Sequence, residues 1–259
     1  MYLLRYIAAD NTVQHGYLEG ENIGSLSGDL FGDFVRGGLV ARLGEVRLLP
    51  PVQPGKIISV TFNFTDRLRE LDMPAPELPP IFFKAPSAVI GPGDAIRLPA
   101  LAKQVAPGGE LAVVIGRAGR WITPEDAPRH ILGYTCANDV LALDIANLDQ
   151  AWTRASSFDT FCPLGPAIAT HVNPAQLMIR STVNGATRQM SSSHDMLFGV
   201  PQVIAFISAA MTLRPGDVIL MGSPAGAGLL EPGDKVEVVI EGIGALSNPV
   251  VSEGGAQPT

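Results

Sequence analysis

The sequence predicts a mostly β protein with a few helices, of the α+β class: a mixed β-sandwich roll or barrel-like core beside a small N-terminal β domain. Three observations carry that prediction. Short runs rich in Val, Ile, Leu and aromatic residues recur along the whole chain, as in Leu111-Ala112-Val113-Val114-Ile115. Turn formers punctuate them, with 28 Gly and 22 Pro in 259 residues. Helical signals are few, and many strands with few helices and abundant Gly/Pro turns belong to rolls and barrels.

Taken in order, Tyr2-Leu3-Leu4-Arg5-Tyr6-Ile7 turns at Asp10-Asn11 and resumes from Gln14 to Gly20, a hairpin that founds a small domain over residues 1–52. Pro50-Pro51-Val52-Gln53-Pro54-Gly55 is a stiff linker, because each proline fixes φ and removes a backbone donor. The main domain is expected over residues 56–259. Within it Pro-Gly-Asp recurs at 92, 215 and 232, each time ahead of a strand-like run. Proline pre-sets the first turn position and glycine takes the next, while the unequal spacing excludes a solenoid. Two helices are expected: one opened by Thr123-Pro124-Glu125-Asp126, which offers a cap and acids against the dipole, and one from Pro201 to about Leu213.

At 46% hydrophobic the chain can bury a large core. A net charge of −7 without any Lys/Arg cluster argues against nucleic acid or an anionic membrane as the main partner, and a small-molecule substrate, if anionic, would need local positive charge. The apolar stretch Val203 to Leu213 is too short for a bilayer, and Arg5 and Asp10 do not suit a secretory signal. Cys136 and Cys162 have neither the number nor the spacing of a disulfide framework or a zinc site, so a reducing cytoplasmic setting is expected.

Glu110 precedes the most apolar run, and Asp139 lies in another apolar segment, so both carboxylates belong at strand edges. They are either ligands of a hard cation, which two carboxylates hold weakly unless water or substrate completes the cage, or structural acids bonded to turn amides.

Ordered blocks then carry a resemblance: Lys56-Ile57-Ile58-Ser59-Val60-Thr61-Phe62-Asn63-Phe64, Gly109-Glu110-Leu111-Ala112-Val113-Val114-Ile115-Gly116, Gly133 to Val140, Ser157 to Pro166, Pro215 to Leu220, Gly222-Ser223-Pro224-Ala225-Gly226 and Glu241-Gly242-Ile243-Gly244. From about Lys56 to Val251 the chain resembles the fumarylacetoacetate hydrolase superfamily, and the N-terminal segment is similar to the small domain many members carry. The resemblance implies a β-sandwich roll, a homodimer, and Mg²⁺ or Mn²⁺ on three acidic residues. The chemistry it implies is metal-stabilised enolate formation in C–C hydrolysis, decarboxylation or isomerisation of β-dicarbonyl, 2-oxo or enol acids.

Several of the family's chemical positions fall on unlike residues. The first of its paired acids falls on Gly108, the second on Glu110 and the third on Asp139. Its histidine falls on Arg67, the glutamate partner on Glu70, a lysine on Ser156 and an arginine on Leu143. Phe64, Gln189 and Ser223 match positions that face substrate. Arg67 is no general base, since a guanidinium keeps its proton near neutral pH. It is either a fixed cation that forks onto Glu110, Asp139 or a substrate carboxylate and takes over part of the ion's role, or a solvated charge beside Arg69 and Glu70.

Arg67, Glu70, Glu110 and Asp139 are therefore the expected catalytic residues, and Glu110 and Asp139 the remaining metal ligands. Three functions stay open: an enolate-forming enzyme with a degenerate metal site, a metal-independent enzyme promoting cyclisation or rearrangement of a biosynthetic intermediate, and a non-catalytic binding subunit.

Overall fold

The chain is described over residues 1–254 by a computed structural model; residues 255–259 of the predicted main domain lie outside the described residues. Two sheets organise it. The larger, of 12 strands, runs Phe34–Arg42, Asn22–Gly28, Val13–Glu19, Tyr2–Ile7, Cys162–Ala169, Ile131–Asn138, Gly109–Ile115, Val218–Leu220, Ile57–Val60 and Ile81–Lys84, with two short strands off this path. The second, of 5 strands, runs Ala186–Ser192, Met178–Val183, Lys235–Ile240, Gly244–Ser252 and Ile96–Leu98.

Most pairs are antiparallel, but Val218–Leu220 lies parallel to Ile57–Val60, and the C-terminal strand pairs parallel to Ile96–Leu98, which makes the roll mixed. The N-terminal meander continues the large sheet, because Tyr2 and Leu3 pair with Ala169 and Ile168.

The strand Gly109–Ile115 sits at the centre. Leu111, Val113 and Ile115 pack toward Ile179, Val238 and Ile240 of the second sheet. Ala112 and Val114 face the opposite cluster with Ile57, Cys162 and Val218. Burial on both faces is why this strand reads as an unbroken apolar run without alternation.

Helix Val200–Ala210 lays Val203, Ile204 and Ile207 onto the first of these clusters. It ends before the expected Leu213, because Leu213 exchanges backbone hydrogen bonds of 2.9 and 3.0 Å with Gly119. The helix expected from Thr123 is instead a turn followed by a 3₁₀ helix over Ala127–His130. Pro128 removes a donor that an α-helix would need there. Conversely, helices Thr65–Glu70, Leu143–Asp149 and Thr153–Ser156 are too short to show a helical period in the sequence.

Cys136 and Cys162 are buried and free, and burial pushes both thiols up to about 12. Among the described residues no helix is long and apolar enough to cross a membrane.

Candidate active site

Strands Ile57–Val60, Ile81–Lys84 and Gly109–Ile115 and the helices Thr65–Glu70 and Leu143–Asp149 all contribute residues to a cavity of about 430 Å³. Glu110 enters it from the first turn of the central strand. It shares the face of Ala112 and Val114, so the pleat that buries those methyl groups also buries its carboxylate, leaving it 2% exposed. Its Oε2 accepts the Gly222 backbone N–H at 2.7 Å, and its Oε1 has no hydrogen-bond partner among the described residues.

Asp139 follows the neighbouring strand Ile131–Asn138. Asn138 fixes the approach of the two segments by accepting the Gly108 N–H at 2.9 Å, while the Asp139 N–H donates to the Gly108 carbonyl at 2.8 Å.

Asp139 is bound on every side. Lys84, which closes the strand Ile81–Lys84, donates from Nζ to Asp139 Oδ1 at 2.5 Å and to the Ser156 carbonyl at 2.5 Å, and also to Ser156 Oγ. Ser156 Oγ donates to the same Oδ1 at 3.0 Å, and Ser59 Oγ donates to Oδ2 at 2.7 Å. The Lys84 side chain is fully buried. A buried ammonium survives only with such a full set of acceptors, and this one has a carboxylate, a hydroxyl and a carbonyl. Glu110 has no cation of its own. Burial first, and then the Asp139 charge, hold its carboxyl well above the usual carboxylate range, against the opposing Gly222 N–H and Lys84.

The remaining predicted residues divide. Arg67 and Ser223 line the cavity with Glu110 and Asp139. Arg67 does not fork onto either acid; its Nη1 pairs with Glu70. Glu70 Oε1 accepts the Gly226 N–H at 3.1 Å, so both of its oxygens are engaged in holding the rim loop. Phe64 is wholly buried in the apolar core, and Phe62 lines the cavity in its place. Gln189 is also wholly buried, behind the site: its Oε1 accepts from Gly109 N–H at 2.9 Å and Ser181 Oγ at 2.7 Å, and its Nε2 donates to the Pro224 carbonyl at 2.7 Å. It braces the Glu110 strand against the Ser223 turn without reaching the cavity.

Lys84 is the residue that sequence reasoning missed. The signal available was a lone lysine ending the apolar strand Ile81-Phe82-Phe83-Lys84, on the same face as Phe82, which lines the cavity.

The fumarylacetoacetate (FAA) hydrolase C-terminal profile matches residues 56–251, and an Rv2993c-like N-terminal profile matches residues 1–51. The chain belongs to the fumarylacetoacetate hydrolase family. The mitochondrial oxaloacetate tautomerase fahd2 of Xenopus laevis is 42% identical over 220 residues, covering 80% of this chain and 69% of that one. The structure of a 2-hydroxyhepta-2,4-diene-1,7-dioate isomerase from Mycobacterium marinum superposes with a TM-score of 0.92 at 43% identity, over 98% of this chain and all of that one. A maleylpyruvate hydrolase from Sphingobium, solved with manganese(II) and pyruvate, superposes with a TM-score of 0.81 at 29% identity, over 97% of this chain and 99% of the other.

The residues present do not fit the three-carboxylate ion site of the fumarylacetoacetate hydrolase family. Gly108 supplies no ligand, and its surroundings leave no room for one: a Cβ there would lie 2.8 Å from the Asp139 carbonyl and 3.2 Å from Ser223 Oγ. Asp139 already answers to Lys84, Ser156 and Ser59. Among the described residues no group of three or more His, Cys, Asp or Glu side chains is placed to hold an ion.

Restoring the glutamate should therefore not restore the site. Gly108→Glu is expected to lower stability by about 1–3 kcal/mol through overpacking, with no rise in melting temperature on adding millimolar Mg²⁺. A Mg²⁺-dependent rise measured by calorimetry would contradict this.

Proposed function

We propose that this fumarylacetoacetate hydrolase relative catalyses keto–enol tautomerisation of a small 2-oxo acid, with its own ion pair in place of a resident metal ion. The observation that carries the reading is Glu110: one carboxyl oxygen is fixed by the Gly222 amide, and the other is unpaired in the cavity shared with Arg67 and Ser223. A carboxyl so placed can pass a proton between the carbon next to a carbonyl and the carbonyl oxygen.

Arg67 at the rim supplies the positive charge for the substrate carboxylate, and the Ser223 hydroxyl donates to the oxygen on which enolate charge develops. Lys84 is a positioning residue, fixing Asp139 so that its charge acts on Glu110 at constant distance. Tautomerisation needs no activated water. That suits a site in which the Arg67–Glu70 pair stands where the hydrolases of the family keep a histidine–glutamate pair. The activities of two relatives, an oxaloacetate tautomerase and a dienedioate isomerase, support the same class of proton transfer. The family likeness and two buried, unpaired thiols support a homodimer in a reducing cytoplasm as the working form.

Deuterium uptake at the carbon next to the carbonyl, followed by NMR in ²H₂O, tests the reading. Exchange about 10²-fold or more above buffer is expected from general acid–base catalysis alone. Exchange at the buffer rate on both oxaloacetate and phenylpyruvate would overturn it.

A further inference from the structure

We infer that the pocket selects a 2-oxo acid with a single carboxylate and an apolar, aryl-sized substituent, and discriminates against dicarboxylates. This names the substrate class of the tautomerase reading and rests on it.

The first argument is charge. The cavity is lined by two acids, Glu110 and Asp139, and one cation, Arg67. Lys84, the other cation nearby, has no exposed side-chain surface and is spent on Asp139 and Ser156. A substrate with one carboxylate can pair with Arg67. A second carboxylate would find no cation among the residues that line the cavity to meet it, and an unpaired charge in a partly desolvated cavity is strongly disfavoured.

The second argument is shape. Much of the rest of the lining is apolar, with Phe62, Phe82, Trp152, Leu141, Leu143 and Ala146. Trp152 takes the Phe62 ring edge-on at 5.3 Å between centroids and the Phe82 ring at 5.7 Å. These contacts hold three flat surfaces together in the wall of a cavity of about 430 Å³, room enough for an aromatic ring beyond the oxo acid. Leu143 stands at the start of the helix Leu143–Asp149 within this wall, where an arginine would have offered a second carboxylate its partner. The same cavity therefore combines the Glu110 carboxyl, which handles the proton, with an apolar lining that takes the substituent.

Phenylpyruvate and oxaloacetate, compared by isothermal titration and by rate of tautomerisation, test the inference. Phenylpyruvate is expected to bind about tenfold more tightly or better, with kcat/KM higher by a similar factor. Leu143→Arg is expected to narrow or reverse that ratio by about tenfold, and Trp152→Ala to weaken phenylpyruvate while leaving oxaloacetate binding in place, with both variants checked for folding by circular dichroism.

Oxaloacetate preferred by the wild-type protein, or a ratio unmoved by Leu143→Arg, would overturn the inference while leaving the tautomerase reading intact. Binding preference for phenylpyruvate without turnover of either acid would uphold the inference on the pocket and overturn the tautomerase reading alone.

Discussion

Lys84→Met is expected to remove tautomerase activity and to lower the free energy of unfolding by about 3–5 kcal/mol, the range for breaking one side of a buried ion pair. The cost is not the lost attraction alone. Asp139, 9% exposed, would be left without a counter-charge in a pocket from which the ammonium has gone, and the Ser156 carbonyl and hydroxyl would lose their donor. Adding Asp139→Asn should recover a large part of the stability, since the charge left alone by the first change is then removed as well. It should recover none of the activity, because Glu110 would have lost the neighbouring charge that, after burial, helps to hold its carboxyl above the usual carboxylate range. Denaturant unfolding of the two variants checks both statements. A loss below about 1 kcal/mol in Lys84→Met would mean that the pair is not the electrostatic centre of the site.

Glu110→Gln is expected to separate chemistry from stability. Glutamine keeps an acceptor for the Gly222 N–H but cannot carry a proton, so the rate should fall by about 10²–10⁴-fold. Stability should hold or increase at neutral pH. The wild-type carboxyl is penalised by burial and by the Asp139 charge, and both penalties vanish in the amide. A variant with lost activity and an unchanged or higher melting temperature fits a catalytic group. Retained activity would show that the proton travels by another route.

Much of the fold was legible in the sequence because its signals are local. The Asn184-Gly185 turn has positive φ at both residues, 53° and 80°, and closes a hairpin as an Asn-Gly pair should. The Pro-Gly-Asp turns at 92, 215 and 232 introduce the strands Ile96–Leu98, Val218–Leu220 and Lys235–Ile240. Local signals put Glu110 and Asp139 in apolar runs, and both line one cavity.

What the sequence hid depends on pairings between distant segments. Lys84 reaches its role through partners 55 and 72 residues away, and no spacing rule joins them. Phe64 was expected at the substrate from the resemblance alone, and past the end of Ile57–Val60 the chain departs from a regular strand. At Phe62 the backbone turns left-handed, with φ of 55°, which breaks the alternation; Phe62 then lines the cavity and Phe64 packs into the core. Gln189 lies opposite Ser181, beside a register shift at Ser181/Thr182, and its amide is used up bracing the Gly109 and Pro224 backbones. Arg67 lines the cavity, but its partner is Glu70, three residues along the same helix, a contact available without any help from the site.

The central claim is that an internal Lys84–Asp139 pair stands where the family's ion would be, and that Glu110 moves the proton beside it. The most direct test is the tautomerisation rate of the purified protein before and after exhaustive chelation, with bound metal measured on the same samples. The rate is expected to stay within about twofold, with well under one ion per chain throughout. Stoichiometric Mg²⁺ or Mn²⁺, with a rate that collapses on chelation and returns when the ion is added back, would contradict it.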